Sequence, residues 1–525
     1  MRPQVWHPPV ELSAAEQAIV KRIRRAKLFV FLRSWRHQLF SEPFQAELAG
    51  MYADSPVGQP PIVPAQLALA IILQAYVGVS DDEVIEATTM DRRWQLVLDC
   101  LDCAAPPFSK GTLVNFRQRL IKKGLDRRLV ERSVEVAEQS GAFGARQLRA
   151  ALDSSPLWGA SRVEDTYNLL GHALRKALDV IAHQQGRGLV AVASEVGATL
   201  VAGSSLKAAL DLDWDDLMQR QQALVTVLDT LNAVERWLTE HPQAAEMSGV
   251  QTSLAVAHQV CAQDIELSGE GAPKLRQGVA KDRRITVEDA EMRHGRKSRS
   301  QRVDGYKRHT LRDLDTGLVR AVGVTPANVP EAMVADSIMA DLAAQQVSLA
   351  ELHIDRAYLT STLVRERPAD LAIYCKAWPV RNGNYFPKTA FQLDWERQVI
   401  CCPNDVQLPF EPGGVVHFPP DTCAVCTKRE RCTQSPHGRS ISIHPEERLI
   451  SELRQRQLTP QGRAKLRERT AVEHTLAHIG RWQGRRARYC GVRKNLFDLR
   501  RCAVVHNLHV ITHLPGIHNS GNLTT

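Results

Sequence analysis

Three acidic residues stand out by where the sequence places them. Asp153 closes the apolar run Leu148–Leu152 and is followed by Ser154-Ser155-Pro156; Asp355 closes Leu352-His353-Ile354, with Arg356-Ala357-Tyr358 behind it. Both read as acids at the carboxyl ends of strands, where open α/β sheets place their ligands. Glu473 lies in a helical stretch whose Val472, Leu476 and Ile479 recur at i, i+4 and i+7. That spacing buries one face and leaves Glu473 at its edge. Arg469, four residues earlier, shares its side and could orient the carboxylate or hold a phosphate. Three converging carboxylates can hold two divalent cations about 3.5 to 4 Å apart, an arrangement suited to in-line displacement at phosphorus. Hard oxygen donors select Mg²⁺ or Mn²⁺ over zinc. Taken singly, an acid at a strand end is more often a cap or a turn residue, and the chain has 58 Asp and Glu. Asp165, shortly after Asp153, competes for the first place.

The elements that must position these acids form a mixed α/β pattern. Residues 1–148 read as a helical amino-terminal domain. In it Ala65–Tyr76 is apolar nearly all round, as in a buried helix, and Ser80 with Glu83 makes a capping box. Ser109 or Thr112 opens a further helix carrying Arg117, Arg119, Lys122 and Lys123. A solvated charged face and a DNA-binding face both fit that basic helix. Tyr306–Leu311 and Leu318–Val324 read as a hairpin turning at Asp315-Thr316-Gly317. A helix over about 330–344, a strand at 351–354, a helix after Leu359 and a strand at 371–374 follow. Residues 149–160, 281–376 and 447–514 are thus expected to build one core. It is interrupted by a helical insertion at 161–280 and a cysteine-rich insertion at 377–446. Residues 515–525 read as a disordered tail.

With 525 residues the chain is too long for one small core, and 44% hydrophobic against 24% charged residues excludes wholesale disorder. The formal charge of +9 favours polyanionic partners without specifying chemistry. The amino terminus lacks a signal-peptide pattern, and no apolar run reaches the roughly 18 residues a membrane span needs; a cytoplasmic protein is expected.

The segments Asp153-Ser154-Ser155-Pro156-Leu157, Asp355-Arg356-Ala357-Tyr358 and Arg469-Thr470-Ala471-Val472-Glu473 together resemble the three signatures of bacterial insertion-sequence transposases of the DDE class. Gly305-Tyr306-Lys307-Arg308-His309, Val324-Thr325-Pro326-Ala327-Asn328 and Arg488-Tyr489-Cys490-Gly491 are similar to further stretches of that family. Gly58-Gln59-Pro60-Pro61 onward resembles the helical domain preceding its core. The resemblance implies an RNase H-like core with Asp153, Asp355 and Glu473 as catalytic metal ligands for two Mg²⁺ or Mn²⁺ ions. It also implies strand cleavage at transposon ends, 3′-OH transfer into target DNA, at least a dimer on double-stranded DNA, and a bacterial, nucleoid-associated location. Some relatives carry a Tyr three residues before the Arg and a Lys seven after the Glu, where this chain has Leu466 and Gly480. A catalytically inactive DNA-binding derivative and an RNase H-fold nuclease without strand transfer are the alternatives.

Positive charge is densest over residues 281–312 and 481–501, the second run interleaved with Trp482 and Tyr489. Arg469, Lys307, His309, Tyr358, Arg481, Arg485, Arg486 and Arg488 are therefore expected to meet DNA. Eleven cysteines in a cytoplasmic chain favour thiols or metal ligands over disulfides. Cys402, Cys423, Cys426 and Cys432, with Cys401 and His417 nearby, could hold structural zinc; a reduced thiol cluster is the alternative. Cys100, Cys103, Cys261, Cys375, Cys490 and Cys502 read as small buried residues.

Overall fold

The computed structural model describes residues 2–54, 57–139, 147–203, 205–269, 271–278, 280–296 and 300–513. The expected tail at 515–525 lies outside them. At the centre is a mixed sheet. Strand β1 (Gln147–Trp158) pairs antiparallel with β2 (Arg302–Asp313), and β2 pairs antiparallel with β3 (Val319–Pro326). On its other side β1 runs parallel to β4 (Ser348–Ile354), and β4 parallel to β5 (Ala372–Cys375). A short strand, Arg293–Arg296, continues the sheet beside the start of β2. The order 3-2-1-4-5, with three antiparallel strands followed by two parallel ones, is that of the expected RNase H-like core.

One boundary differs in a way that matters for the site. The sequence suggests that Asp153 ends its strand, but β1 continues through Ser154-Ser155-Pro156 to Trp158. Pro156 is tolerated because β1 has lost its β4 neighbour by then: the parallel register stops at Leu152↔Ile354, while antiparallel pairing with β2 goes on to Trp158↔Gly305. At that last pair the strands come so close that a β-carbon on Gly305 would stand 2.4 Å from the Leu157 carbonyl oxygen, so only glycine fits.

Five helices carry most of the packing around the sheet: α1 (Pro64–Val77), α2 (Asp126–Gln139), α3 (Ala335–Ala344), α4 (Thr470–Gln483) and α5 (Val492–Ile511). Helix α1 is buried from Ala65 to Ala75 except at Gln66, as its all-round apolar sequence requires. It starts at Pro64, whose missing N–H costs nothing at a first helical position, and stops at Gly78 in the left-handed conformation (φ +85°). The capping box at Ser80 and Glu83 is present, and Ser109 caps the helix Lys110–Lys123.

The amino-terminal helices share one hydrophobic core with β3, α4 and α5, in which Leu67, Ile71 and Phe116 meet Val322, Ile479, Val504 and Leu508. Ion pairs bind the same seam: Asp126 of α2 accepts from Arg493 and Arg500 of α5, and Arg500 reaches on to Asp341 of α3. Leu148, Ala150 and Leu152 of β1 face a second core with Ile338, Ile354 and Ile373. Residues 166–264 form helices around a core of their own, closed by a small hairpin at Ile265–Leu267 and Pro273–Leu275 that the sequence does not announce. The cysteine-rich stretch holds three-residue strands around a fourth, small core. Of the cysteines expected in the interior, Cys100, Cys375 and Cys502 are buried, whereas Cys103 is exposed at a turn and Cys261 and Cys490 are half-buried. Among the described residues no helix is long and apolar enough to cross a membrane.

Candidate active site

The side chains on a strand alternate between faces, so Arg149, Ala151 and Asp153 of β1 share one face with Glu351, His353 and, just past the strand end, Asp355 of β4. Leu152 and Ile354 are register partners, and Asp153 and Asp355 are the next residue of each strand. Two carboxylates are thereby set side by side where the parallel pairing ends. Helix α4 lies over this face, anchored by buried Val472, Thr475, Leu476 and Ile479. Arg312 of β2 donates to the Ala471 carbonyl and to Thr475 Oγ1, both at 2.9 Å, which fixes the first turn of α4 on the sheet.

Glu473 in that turn is linked to Asp153 by Arg469. Its guanidinium donates to Asp153 Oδ2 at 2.5 Å and to Glu473 Oε1 at 2.7 Å. Asp153 is the buried member of the trio, its side chain 13% exposed against 49% for Asp355 and 50% for Glu473. The pocket is therefore open to a large substrate on the Asp355 and Glu473 side. Burial raises the Asp153 carboxyl pKa; Arg469 and the Ser154 amide work against it, and the nearby Asp355 and Glu473 charges add to the rise. Arg469 and, 4.0 Å from Asp355, Arg356 face three acids, and the surplus negative charge suits divalent cations. Asp165, the competing first acid, instead caps the helix Thr166–Gln184 by accepting from the Asn168 amide.

Beneath the acids, on the opposite sheet face, lie groups the sequence assigned to DNA. His309 and Tyr358 are fully buried, the Tyr358 hydroxyl 2.8 Å from His309 Nδ1, with Thr325 Oγ1 3.0 Å from the other ring nitrogen. Burial, helped by Lys307, pushes the His309 pKa down to about 3, so the ring is neutral. Neither can touch DNA: His309, the register partner of Ser154, is on the sheet face away from Asp153, and Tyr358, in the turn after β4, meets it there, so the two support the strand ends that carry Asp153 and Asp355. Lys307 is half-buried and donates to the Val329 carbonyl. Arg481, Arg485, Arg486 and Arg488 are exposed. Arg485 lies over the Trp158 ring, Arg486 donates to the Gly159 carbonyl, and Arg488 is tied to the carbonyls of Gly78 and Val79. In the basic amino-terminal helix, Arg117 is buried against Asp81, while Lys122 and Lys123 are exposed.

A second charged cluster lies on the catalytic face and was missed from sequence. Among the described residues, Glu351, His353 and Glu468 offer ligand atoms within 4.8 Å of one another. Arg149 and Lys465 already fill that space: Arg149 pairs with Glu351 at 3.1 Å and with Glu468, and Lys465 Nζ lies 2.9 Å from Glu351 and 3.4 Å from Glu468. Two cations against two acids leave no charge for a metal, and the cluster is an ion-pair clamp. It holds the helix Pro460–Glu468, which leads straight into Arg469 and Glu473. The alternation Glu351, His353, Asp355 was its only sequence signal.

Residues 411–512 match a family model described as a transposase DDE domain, and residues 20–119 match one described as a transposase domain (DUF772). The first covers Arg469 and Glu473; Asp153 and Asp355 precede it and join the site through the sheet. Both matches are consistent with an insertion-sequence transposase of the DDE class. A transposase domain implies binding to DNA, and the DDE family implies the use of divalent metal ions. No curated protein and no solved structure matches the chain.

Proposed function

We propose that this transposase cleaves a strand at each end of its element and joins the freed 3′-OH to target DNA, using Asp153, Asp355 and Glu473 as the metal-holding carboxylates. The observation that carries the reading is that Arg469 bridges Asp153 and Glu473, while Asp355 follows the strand end adjacent to Asp153. Their donor set, hard oxygens only, fits Mg²⁺ or Mn²⁺. Two such ions, when bound, activate the attacking oxygen and stabilise the leaving one.

The chain's own residues supply position and charge. Asp153, held from behind by its strand and the Ser154 amide, is the fixed point; Asp355 and Glu473 are open to the substrate. Arg469 offers a forked donor that matches a phosphate as well as a carboxylate. The exposed Arg481, in the last turn of the catalytic helix, and Arg485, just after it, are the residues to meet the DNA backbone. Pairing two ends calls for at least a dimer.

The test is a reaction of the purified chain with DNA carrying the sequences that flank its gene, in Mg²⁺ or Mn²⁺. Nicked ends and joined products are expected, both lost in Asp153→Asn, Asp355→Asn and Glu473→Gln, with DNA binding retained. Joining by Asp355→Asn at the unaltered rate overturns the assignment. Supplying a precut 3′-OH end separates strand transfer from simple nuclease action, and binding without cleavage by the unaltered chain marks an inactive derivative.

A further inference from the structure

The cysteine-rich insertion contains a site of different chemistry. It has only a small core, centred on Phe391, Ile400, Phe410 and Phe418, and strands of three residues each. Loop-rich segments of this kind ordinarily need a covalent or metal staple. Its cysteines are free thiols. Four of them, Cys402, Cys423, Cys426 and Cys432, line one cavity of about 30 Å³ that Cys401 and His417 do not reach.

We propose that these four thiols bind one zinc ion, which staples the two halves of the insertion together. Cys402 stands at the start of a tight turn in which its own N–H donates to the Val406 carbonyl and the Asp405 N–H to the Cys402 carbonyl, both at 2.9 Å. In the same turn the Asn404 amide donates to Cys402 Sγ at 3.3 Å. An amide aimed at sulfur stabilises a thiolate and orients it, as outer-shell hydrogen bonds do for metal ligands. The other three sulfurs come from the short helix Pro420–Ala424, the turn after it, and the end of the helical turn Arg429–Arg431. The two pieces are already pinned together, since Lys428 Nζ donates to the Pro403 carbonyl beside Cys402. Arg439 and Lys428 line the same cavity as the four thiols. With Lys428 beside it, Arg439 offsets the net negative charge of a zinc tetrathiolate.

Among the described residues no three of these sulfurs lie within 4.8 Å of one another. Tetrahedral zinc at about 2.3 Å from each sulfur therefore draws the Cys423–Cys432 loop inward onto the Cys402 turn. The ligands come from both sides of the strands at Gln407–Pro409 and Val415–His417, so the closure stiffens the whole insertion.

The experiment measures metal content of the full chain purified under reducing conditions after growth with zinc. About one zinc per chain is expected, falling to nearly none in Cys423→Ser and Cys432→Ser. It stays unchanged in Cys261→Ser, outside the insertion, and in Asp355→Asn, so the result is independent of the transposition reading. Replacement by cobalt should give the thiolate-to-cobalt charge-transfer absorption of a sulfur-ligated tetrahedral site, an observation on the unaltered chain that stands even if the serine variants aggregate. A folded, zinc-free wild type whose cysteines react with a thiol reagent equally fast with and without added zinc overturns the proposal. So does cobalt loading without the charge-transfer band.

Discussion

The guanidinium of Arg308 lies 3.0 Å from the point where a β-carbon on Gly480 would stand. Gly480 is the position at which some relatives carry lysine. Arg308, arriving from β2, takes up that space and donates to Ser155 Oγ at 2.7 Å, Gln483 Oε1 at 3.1 Å and the Gly484 carbonyl at 3.0 Å. It ties the carboxyl end of α4 to the sheet, as Arg312 ties its start. Gly480→Lys should expel Arg308 and lower stability by about 2 kcal/mol. Arg308→Ala in the same chain should recover part of that loss, because the two changes compete for one space. Thermal unfolding of the double-mutant cycle measures the coupling; strictly additive effects would refute the competition.

Arg469 holds Asp153 and Glu473 with two nitrogens of one fork, and lysine cannot do both. Arg469→Ala should therefore bind Mn²⁺ at lower concentration, since a competing cation has gone. Strand cleavage at saturating metal should still fall, by about 10- to 100-fold, because the oriented donor is lost. Arg469→Lys should behave like the alanine variant. Calorimetric metal titration beside end-cleavage rates checks both halves; unchanged metal affinity would count against the bridging role.

The ion-pair clamp below the site gives a pH dependence. Burial works to raise the Glu351 carboxyl pKa, but Lys465, His353 and Arg149 together hold it down to about 2. A carboxylate whose folded pKa is depressed stabilises the fold above its unfolded pKa of about 4.5 and loses that contribution as pH falls towards the folded value. Glu351→Gln should cost about 2 kcal/mol at neutral pH and progressively less between pH 4.5 and 2. Denaturant unfolding of the two proteins at several pH values provides the measurement, and a difference that does not change with pH argues against the clamp.

Asp126 is 1% exposed and answers two arginines, Arg493 and Arg500. Asp126→Asn leaves Arg493 without its anion and Arg500 with Asp341 alone, and a loss of about 3 kcal/mol is expected. Because these residues join α2 to α5 across the shared core, the amino-terminal helices and the sheet should still unfold in one transition. Circular dichroism and intrinsic tryptophan fluorescence should give coincident melting curves. Two separated transitions assigned to these regions would show that the seam is weaker than its contacts imply.

Much of this was legible in the sequence because it rests on local pattern. Helix α1 declares itself by an apolar run opened by Pro64 and closed by Gly78, and the β2–β3 hairpin by Asp315-Thr316-Gly317. Glu473 could be found from the buried positions around it. What was not legible depends on register. The continuation of β1 past Asp153 is decided by pairing with β2, residues 305–313, far along the chain. The inward turn of His309 follows from its pairing with Ser154, on the sheet face away from Asp153, which a basic stretch conceals, and Tyr358 follows it there. The Glu351 clamp joins residues from three separate segments, and only the parallel register of β1 and β4 puts Arg149 beside Glu351. Arg117 and Arg488 look like solvent-facing charges in sequence, yet each has a partner within the protein.

The shared core has a consequence for the order in which the chain can mature. Leu67, Ile71 and Phe116 are sealed by Val504 and Leu508 of α5, more than 350 residues downstream. While the ribosome is still translating, the amino-terminal helices have no complete surface to close on. Only when α5 emerges can this seam close, and the same helix arrives just after the one bearing Glu473. A product terminated before α5, even one long enough to include both aspartates, is therefore left with an open seam beside the helix that bears Glu473.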